Sequence, residues 1–319
     1  MTIAQQRAFD RAHRRVAGLQ PDVAAAVLTF FRLVTIGLSE VALAAAIRDG
    51  SINVVLDVLI SAAMLERASV PLRRALRSTM EKAFTFNTPS LPKGGKVDGT
   101  IAIFFDRLNP RVLDAIRTLE TRVITELHDS VRETVRQAIE RGITEGLGPR
   151  ATARYVREVI SLGPRGETAV ANYRAMLEAG DREALTRQLR DRRFDPTLDR
   201  ALGQGGAGLS AEQVDRMVAA YSKKTLASNA ETIARTATLE SYKIAQRESW
   251  ASAIDAGIVD QGRLNRRWIG VGDDRERPGH LAMNNTVVGF DEPYPNGDTY
   301  AGQGDPWNCR CIDLFFVGS

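Results

Sequence analysis

Histidine and cysteine are scarce, with three and two copies in 319 residues. Two cysteines cannot build the disulfide framework on which small secreted domains depend. Both, Cys309 and Cys311, lie near the C-terminus, and a bond between them across one residue would be strained. Aromatic residues make up only 6%, while Ala, Leu, Val and Arg are plentiful. That balance favours helices over a sheet sandwich. The chain has no phosphate loop, no Gly-rich dinucleotide fingerprint, no His-Glu-x-x-His pair and no Ser-centred elbow. Residues 1–20 are polar, so no secretory signal is expected. The most apolar segment, Val23–Ile47, is interrupted by Arg32 and Glu40. A membrane span needs about 20 apolar residues, so this segment reads as a buried helix, with membrane contact as the lesser alternative.

What is present suits a soluble globular protein. Hydrophobic residues are 44% and charged residues 26%, and the length suffices for roughly two domains. The net charge of +4 is unevenly spread. Residues 251–319 hold six Lys or Arg against ten Asp or Glu, so the excess of positive charge lies in residues 1–250. Arg-rich helices suit phosphate contact; interleaved with acids, they equally make a solvated surface. The doublets Arg14-Arg15, Arg73-Arg74, Arg192-Arg193 and Lys223-Lys224 fit either reading.

Helical periodicity dominates the first 256 residues. Pro21-Asp22 reads as a helix start, continuing through Ile47 to a stop at Asp49-Gly50. A second helix is expected over Ile52–Phe84, kinked or divided at Pro71. Asn87–Gly99 reads as a loop, and Thr100–Phe105 as either a strand or a helix lead-in. Asn109-Pro110 opens a long amphipathic helix whose apolar positions run from Val112 to Ile139, ending at Arg141-Gly142. Helices are expected at Arg150–Leu162, Glu167–Glu178 and Arg182–Arg190, and a linker at Phe194–Leu209. Ser210 and Gln213 form a capping box. A further helix over Leu226–Ala256 is closed by Gly257. Strand-like pieces then appear at Arg267–Val271, Thr286–Phe290 and Ile312–Val317. The expected fold is mainly α, with long N-terminal and central helices followed by a small α+β C-terminal domain of short strands. The expected regions are 1–108, 109–209 and 210–319.

Candidate chemistry collects in the C-terminal region. Cys309 and Cys311 with a distant His280 supply three soft or borderline ligands, and a carboxylate or water could complete a tetrahedral zinc site. The alternative is two buried thiols beside a hydrogen-bonded histidine. A third reading makes His280 the base for a cysteine nucleophile, oriented by Asp274 or Asp291. His13 and His128 fall on expected helices without evident partners. Arg235 either anchors an acid or carbonyl, or lies on the surface. Trp268 and Trp307 are expected in the core.

Three segments carry a family resemblance. They are IARTATLESYKIAQRESWASAIDAG (Ile233–Gly257), RWIGVGDDRERPGHLAMNNTVVGFDEPY (Arg267–Tyr294) and DPWNCRCIDLFFV (Asp305–Val317). Together they resemble the phage head morphogenesis family, the MuF-like minor head proteins. The matching elements are Arg235-Thr236, Trp268, Asp274-Arg275 with His280, and Asn308-Cys309-Arg310-Cys311. Weaker similarity reaches upstream through Ile143–Ile160. Several relatives carry a Gly where this chain has Asn284-Asn285. Many also carry a toxin or other domain after this region, whereas here the chain stops at Ser319, so no enzymatic cargo is expected.

The resemblance implies a non-enzymatic component of the virion, present in multiple copies in the head interior or at the portal vertex after assembly in the host cytoplasm. Its implied partners are the portal protein and a major capsid or scaffold protein, with packaged double-stranded DNA as a further one and no small-molecule substrate. Its implied roles are head assembly, DNA packaging or ejection. The alternatives are an internal protein ejected with the genome that binds DNA or membrane, and a zinc- or thiol-dependent enzyme.

Overall fold

The computed structural model describes residues 2–87, 109–203 and 208–318. Among these, ten α-helices precede or flank one small three-stranded sheet, in agreement with the expected mainly α fold. The expected Thr100–Phe105 element and most of the loop before it lie outside the described residues, as do positions 204–207 of the expected linker.

Two compact units are assembled from separated stretches of chain. The first combines residues 1–26, 72–123 and 232–319; the second combines 27–71 and 124–231. Helices α1 (Ile3–Gly37), α4 (Ala62–Asn87), α5 (Pro110–Thr144) and α9 (Ala211–Asp255) each contribute to both.

Helix boundaries follow local chemistry that periodicity alone did not reveal. Pro21 does not open a helix; it lies inside α1, which starts at Ile3. One 18-residue window of α1 is apolar enough to cross a membrane, but its residues Phe30, Phe31 and Val34 are core residues of the second unit. The break comes at Ser39, whose hydroxyl accepts from the Ala42 amide and caps α2 (Glu40–Arg48). The next expected helix does not divide at Pro71. It opens with α3 (Ile52–Val54), loosens into a π-helical turn at Val55–Leu59, and restarts as α4 after Ile60. Ser61 accepts from the Met64 amide at that restart, so a cap outweighs the proline as the boundary.

In the second unit, the apolar stripe of α5 buries Val131, Val135, Ala138 and Ile139. The helix passes through Gly142, where an added Cβ would lie 2.5 Å from the Thr152 side chain. Gly142 therefore permits close approach of α6 (Pro149–Val159) and is not a stop. Glu167, on α7 (Gly163–Glu178), is fully buried. It accepts from Arg141 at 2.6 Å and from the Tyr155 hydroxyl at 2.5 Å, which satisfies its charge. Arg182–Thr186 is a 3-10 turn and not the expected longer helix. The expected linker begins with α8 (Asp195–Ala201), anchored by buried Leu198. The capping box opens α9: the Ser210 amide donates to Gln213 at 2.8 Å, and the Gln213 amide donates back at 3.3 Å. α9 is one 45-residue helix rather than two.

In the first unit, Gly257 closes α9 with a φ of +68°. Strand β1 (Leu264–Ile269) then pairs antiparallel with both β2 (Val287–Gly289) and β3 (Ile312–Val317), in the order β2-β1-β3. Trp268 stands opposite Asp313, and Arg266 opposite Phe315. One face packs Leu264 and Phe290 against Trp250 of α9. Ile269 and Ile312 join Phe9, Val16 and Tyr242 in a second cluster.

Candidate functional site

The C-terminal region is organised around buried charge. Arg266 and Asp313 are almost completely buried, and form an ion pair at 3.5 Å. The Arg266 guanidinium stacks over Tyr294 and donates to the Thr299 carbonyl at 2.6 Å. It also donates to the Glu292 carbonyl. Asp313 accepts from the Tyr294 hydroxyl at 2.7 Å and from the Ala301 amide at 3.0 Å. Burial raises the Asp313 carboxyl above its ordinary pKa, while these donors and Arg266 oppose the shift. This network pins the loop between β2 and β3 and places Ala301-Gly302 over the two cysteines.

The loop before the cysteines is held from its outer side. Arg277 pairs with Asp305 at 2.8 Å and donates to the carbonyls of Asp305 and Trp307. Asn308 adopts a left-handed conformation, φ 54°, and its amide donates to the Thr236 hydroxyl of α9 at 3.2 Å. Arg310 points away from the cysteines and makes a two-bond ion pair with Asp273, at 2.7 and 2.5 Å. That contact holds Asp273 down to about 2. The two cysteines, flanking an outward arginine, consequently turn inward together.

His280 comes from α10 (Pro278–Met283), a short helix with proline in its first turn. Its ring meets Trp268 edge-on at 5.5 Å. Its Nδ1 stands 3.6 Å from the sulfur of Cys309 and 3.6 Å from that of Cys311. All three side chains are buried, and their donor atoms lie within 4.8 Å of one another. The Cys311 amide donates to the Cys309 sulfur at 3.4 Å. Gly302 is required here: its φ is +77°, and a Cβ would fall 2.3 Å from the Cys309 sulfur.

Two charged groups complete the surroundings. Lys243 of α9 is buried; it donates to the Ala301 carbonyl at 2.6 Å and lies 3.9 Å from the Cys309 sulfur. Glu276 approaches the Cys311 sulfur at 3.6 Å and accepts from the Gly272 amide. Donation from Cys311, helped by Lys243 and His280, pushes Cys309 down to about 5 against its burial. Cys311 moves up, because it holds the proton beside the Cys309 thiolate.

The sequence-selected residues do not all converge. Thr236, Trp268, His280, Asn308, Cys309, Arg310 and Cys311 meet in one place. Arg235 is exposed on α9, and Asp274 and Arg275 are exposed as well. Asp274, one of the two acids expected to orient His280, points to solvent, and its neighbour Asp273 makes the ion pair with Arg310. Asp291 pairs with Arg247 at 3.1 Å, away from His280. Trp307 is partly exposed, whereas Trp268 is fully buried. His13 does have a partner: its Nε2 lies 2.9 Å from the Arg310 carbonyl, behind the cysteine loop. His128 lies 3.1 Å from the Ser69 hydroxyl in the second unit. Lys243 was missed because one lysine on a helix looks solvated. Its place in a stretch rich in small residues, Ala234 to Ala245, which the structure buries almost wholly, is the one signal the sequence offered.

Comparison with known families matches residues 133–313 to Phage Mu protein F like protein. The chain belongs to the Phage Mu protein F like family. The match covers more than half of the chain, from within α5 to the start of β3, and includes every residue of the cysteine and histidine cluster. This is a family of phage head proteins. No curated protein and no solved structure matches the chain.

Proposed function

We propose that the chain is a minor head protein that sits inside the head or at the portal vertex and acts in head assembly, DNA packaging or ejection. Its partners in this reading are the portal protein and a major capsid or scaffold protein, met in the host cytoplasm. The observation that carries the reading is the family match over residues 133–313. Its role is architectural and not enzymatic. The supporting features are long helices stabilised by apolar stripes, and a C-terminal region whose buried charges are used to fix loops.

Several basic side chains already serve the fold or sit beside acids. Arg73 reaches Glu120 at 3.7 Å, Arg193 pairs with Asp191 at 2.6 Å, and Lys224 donates to the Arg190 carbonyl at 3.1 Å.

The test is made in the phage that encodes the chain. An early stop codon is expected to reduce infectious particles, and mass spectrometry of purified heads is expected to find the protein in multiple copies. Tagged protein is expected to capture the portal protein from infected cells. Absence from both immature and mature heads would overturn the reading. Strong, salt-dependent DNA binding without portal capture would favour the ejected DNA-binding alternative.

A further inference from the structure

We propose that His280, Cys309 and Cys311 bind one zinc ion, which ties α10 to the start of β3 and gives the C-terminal region a structural metal centre. The proposal stands on the residues of this chain and does not depend on the assembly role.

The first support is geometric. With Zn–S bonds of about 2.3 Å and a Zn–N bond of about 2.0–2.1 Å at tetrahedral angles, nitrogen and sulfur ligands stand about 3.5–3.6 Å apart. His280 Nδ1 is 3.6 Å from both sulfurs. An ordinary hydrogen-bonded histidine needs one such partner; equal spacing to two is what a shared central ion requires. The three donor atoms converge from two elements distant in sequence, and all three residues are buried.

The second support is the shape of the cradle. Gly302 holds a left-handed backbone and leaves room at Cys309 that any side chain would fill. The Cys311 amide points at the Cys309 sulfur, and the Lys243 ammonium lies on its other side. Donors directed at a sulfur stabilise it as a metal-bound thiolate. The network of Arg266, Asp313 and Tyr294 fixes the loop that carries Gly302, so the cavity is built before any ion enters.

The third support is charge and ligand type. Two thiolates and a neutral imidazole suit zinc better than hard cations such as magnesium or calcium. The fourth position is completed by Glu276, beside Cys311, or by a water. With Glu276 as the fourth ligand the centre carries one net negative charge, which Lys243 offsets. All three ligand residues are buried, which favours a structural centre over a catalytic one.

The test uses the full chain, purified under reducing conditions. Elemental analysis is expected to find about one zinc per chain. After removal of zinc, titration with Co2+ is expected to give a sulfur-to-metal charge-transfer band and the strong visible bands of tetrahedral cobalt, saturating at one equivalent. Cys309→Ser and Cys311→Ser are expected to abolish the charge-transfer band or halve it, and His280→Ala to weaken Co2+ binding by more than about tenfold. Should these variants fail to fold, the wild-type Co2+ titration alone decides. A wild-type protein with native helical circular dichroism, two freely titrating thiols and no Co2+ charge-transfer band would overturn the proposal. So would a folded Cys309→Ser, Cys311→Ser double variant that retains its zinc. Neither outcome bears on whether the protein enters the head.

Discussion

The second unit and the C-terminal part of the first are stabilised by different means. The second unit buries repeating aliphatic positions, and its fully buried carboxylate, Glu167, is satisfied by Arg141 and Tyr155. The C-terminal part has short strands and long loops, with Arg266, Asp313, Lys243 and His280 buried among a few aromatic rings. Aliphatic packing changes in proportion to volume, so it tolerates small alterations. A buried charge left without its partner is far more costly. The first region is therefore expected to bend under substitution, and the second to break.

The largest effect is expected at Asp313. Asp313→Ala leaves Arg266 buried and uncompensated, which should destabilise by about 3–5 kcal/mol; denaturant unfolding measures it. Ile139→Val, at a fully buried site in the second unit, should cost about 1 kcal/mol in the same assay. If the valine variant proved the less stable of the two, the contrast between the regions would fail.

A cap in the second unit gives an effect of comparable size. Ser210→Ala removes one half of the capping box and should lower stability by about 1 kcal/mol, with loss of amide-exchange protection confined to the first turn of α9. The fourth prediction concerns pH. Burial is the main cause that lowers the His13 pKa. The unfolded chain therefore binds a proton that the folded chain resists, and stability must fall as pH drops below about 6.5. His13→Gln should flatten that part of the stability–pH curve; an unchanged slope would show that His13 does not control it. The smallest effect is expected at Arg182, whose pairing with Asp199 is exposed on both sides. Arg182→Ala should leave the melting temperature unchanged within error.

The amphipathic course of α5 was plain in the sequence because Val112 to Ile139 repeat at helical spacing, and the same physics buries them. The three strands were also visible, within a few residues, from short β-rich runs between turn residues. Boundaries were harder. Pro21 and Pro71 are strong local signals against helix, yet both lie inside helices, because flanking residues such as Leu19, Val23, Ala68 and Leu72 bury enough apolar surface to outweigh a missing hydrogen bond. Ser39 and Ser61 mark the actual breaks through single side-chain caps, which carry little pattern.

The sequence by itself determined the helical class, the C-terminal change of character and the residue types able to hold a metal, since these follow from periodicity and side-chain chemistry. Its motif also led to the phage head family, and residues 133–313 match that family. Only the tertiary structure decided which groups meet. It brought Lys243 and Glu276 to the cysteines, paired Asp273 with Arg310, and set His280 at equal distance from two sulfurs. These are contacts between positions 29 to 66 residues apart, and no local pattern encodes them. They exist because Arg266 and Asp313, once buried, must find each other and every available donor and acceptor, and in doing so fix the loops around the site.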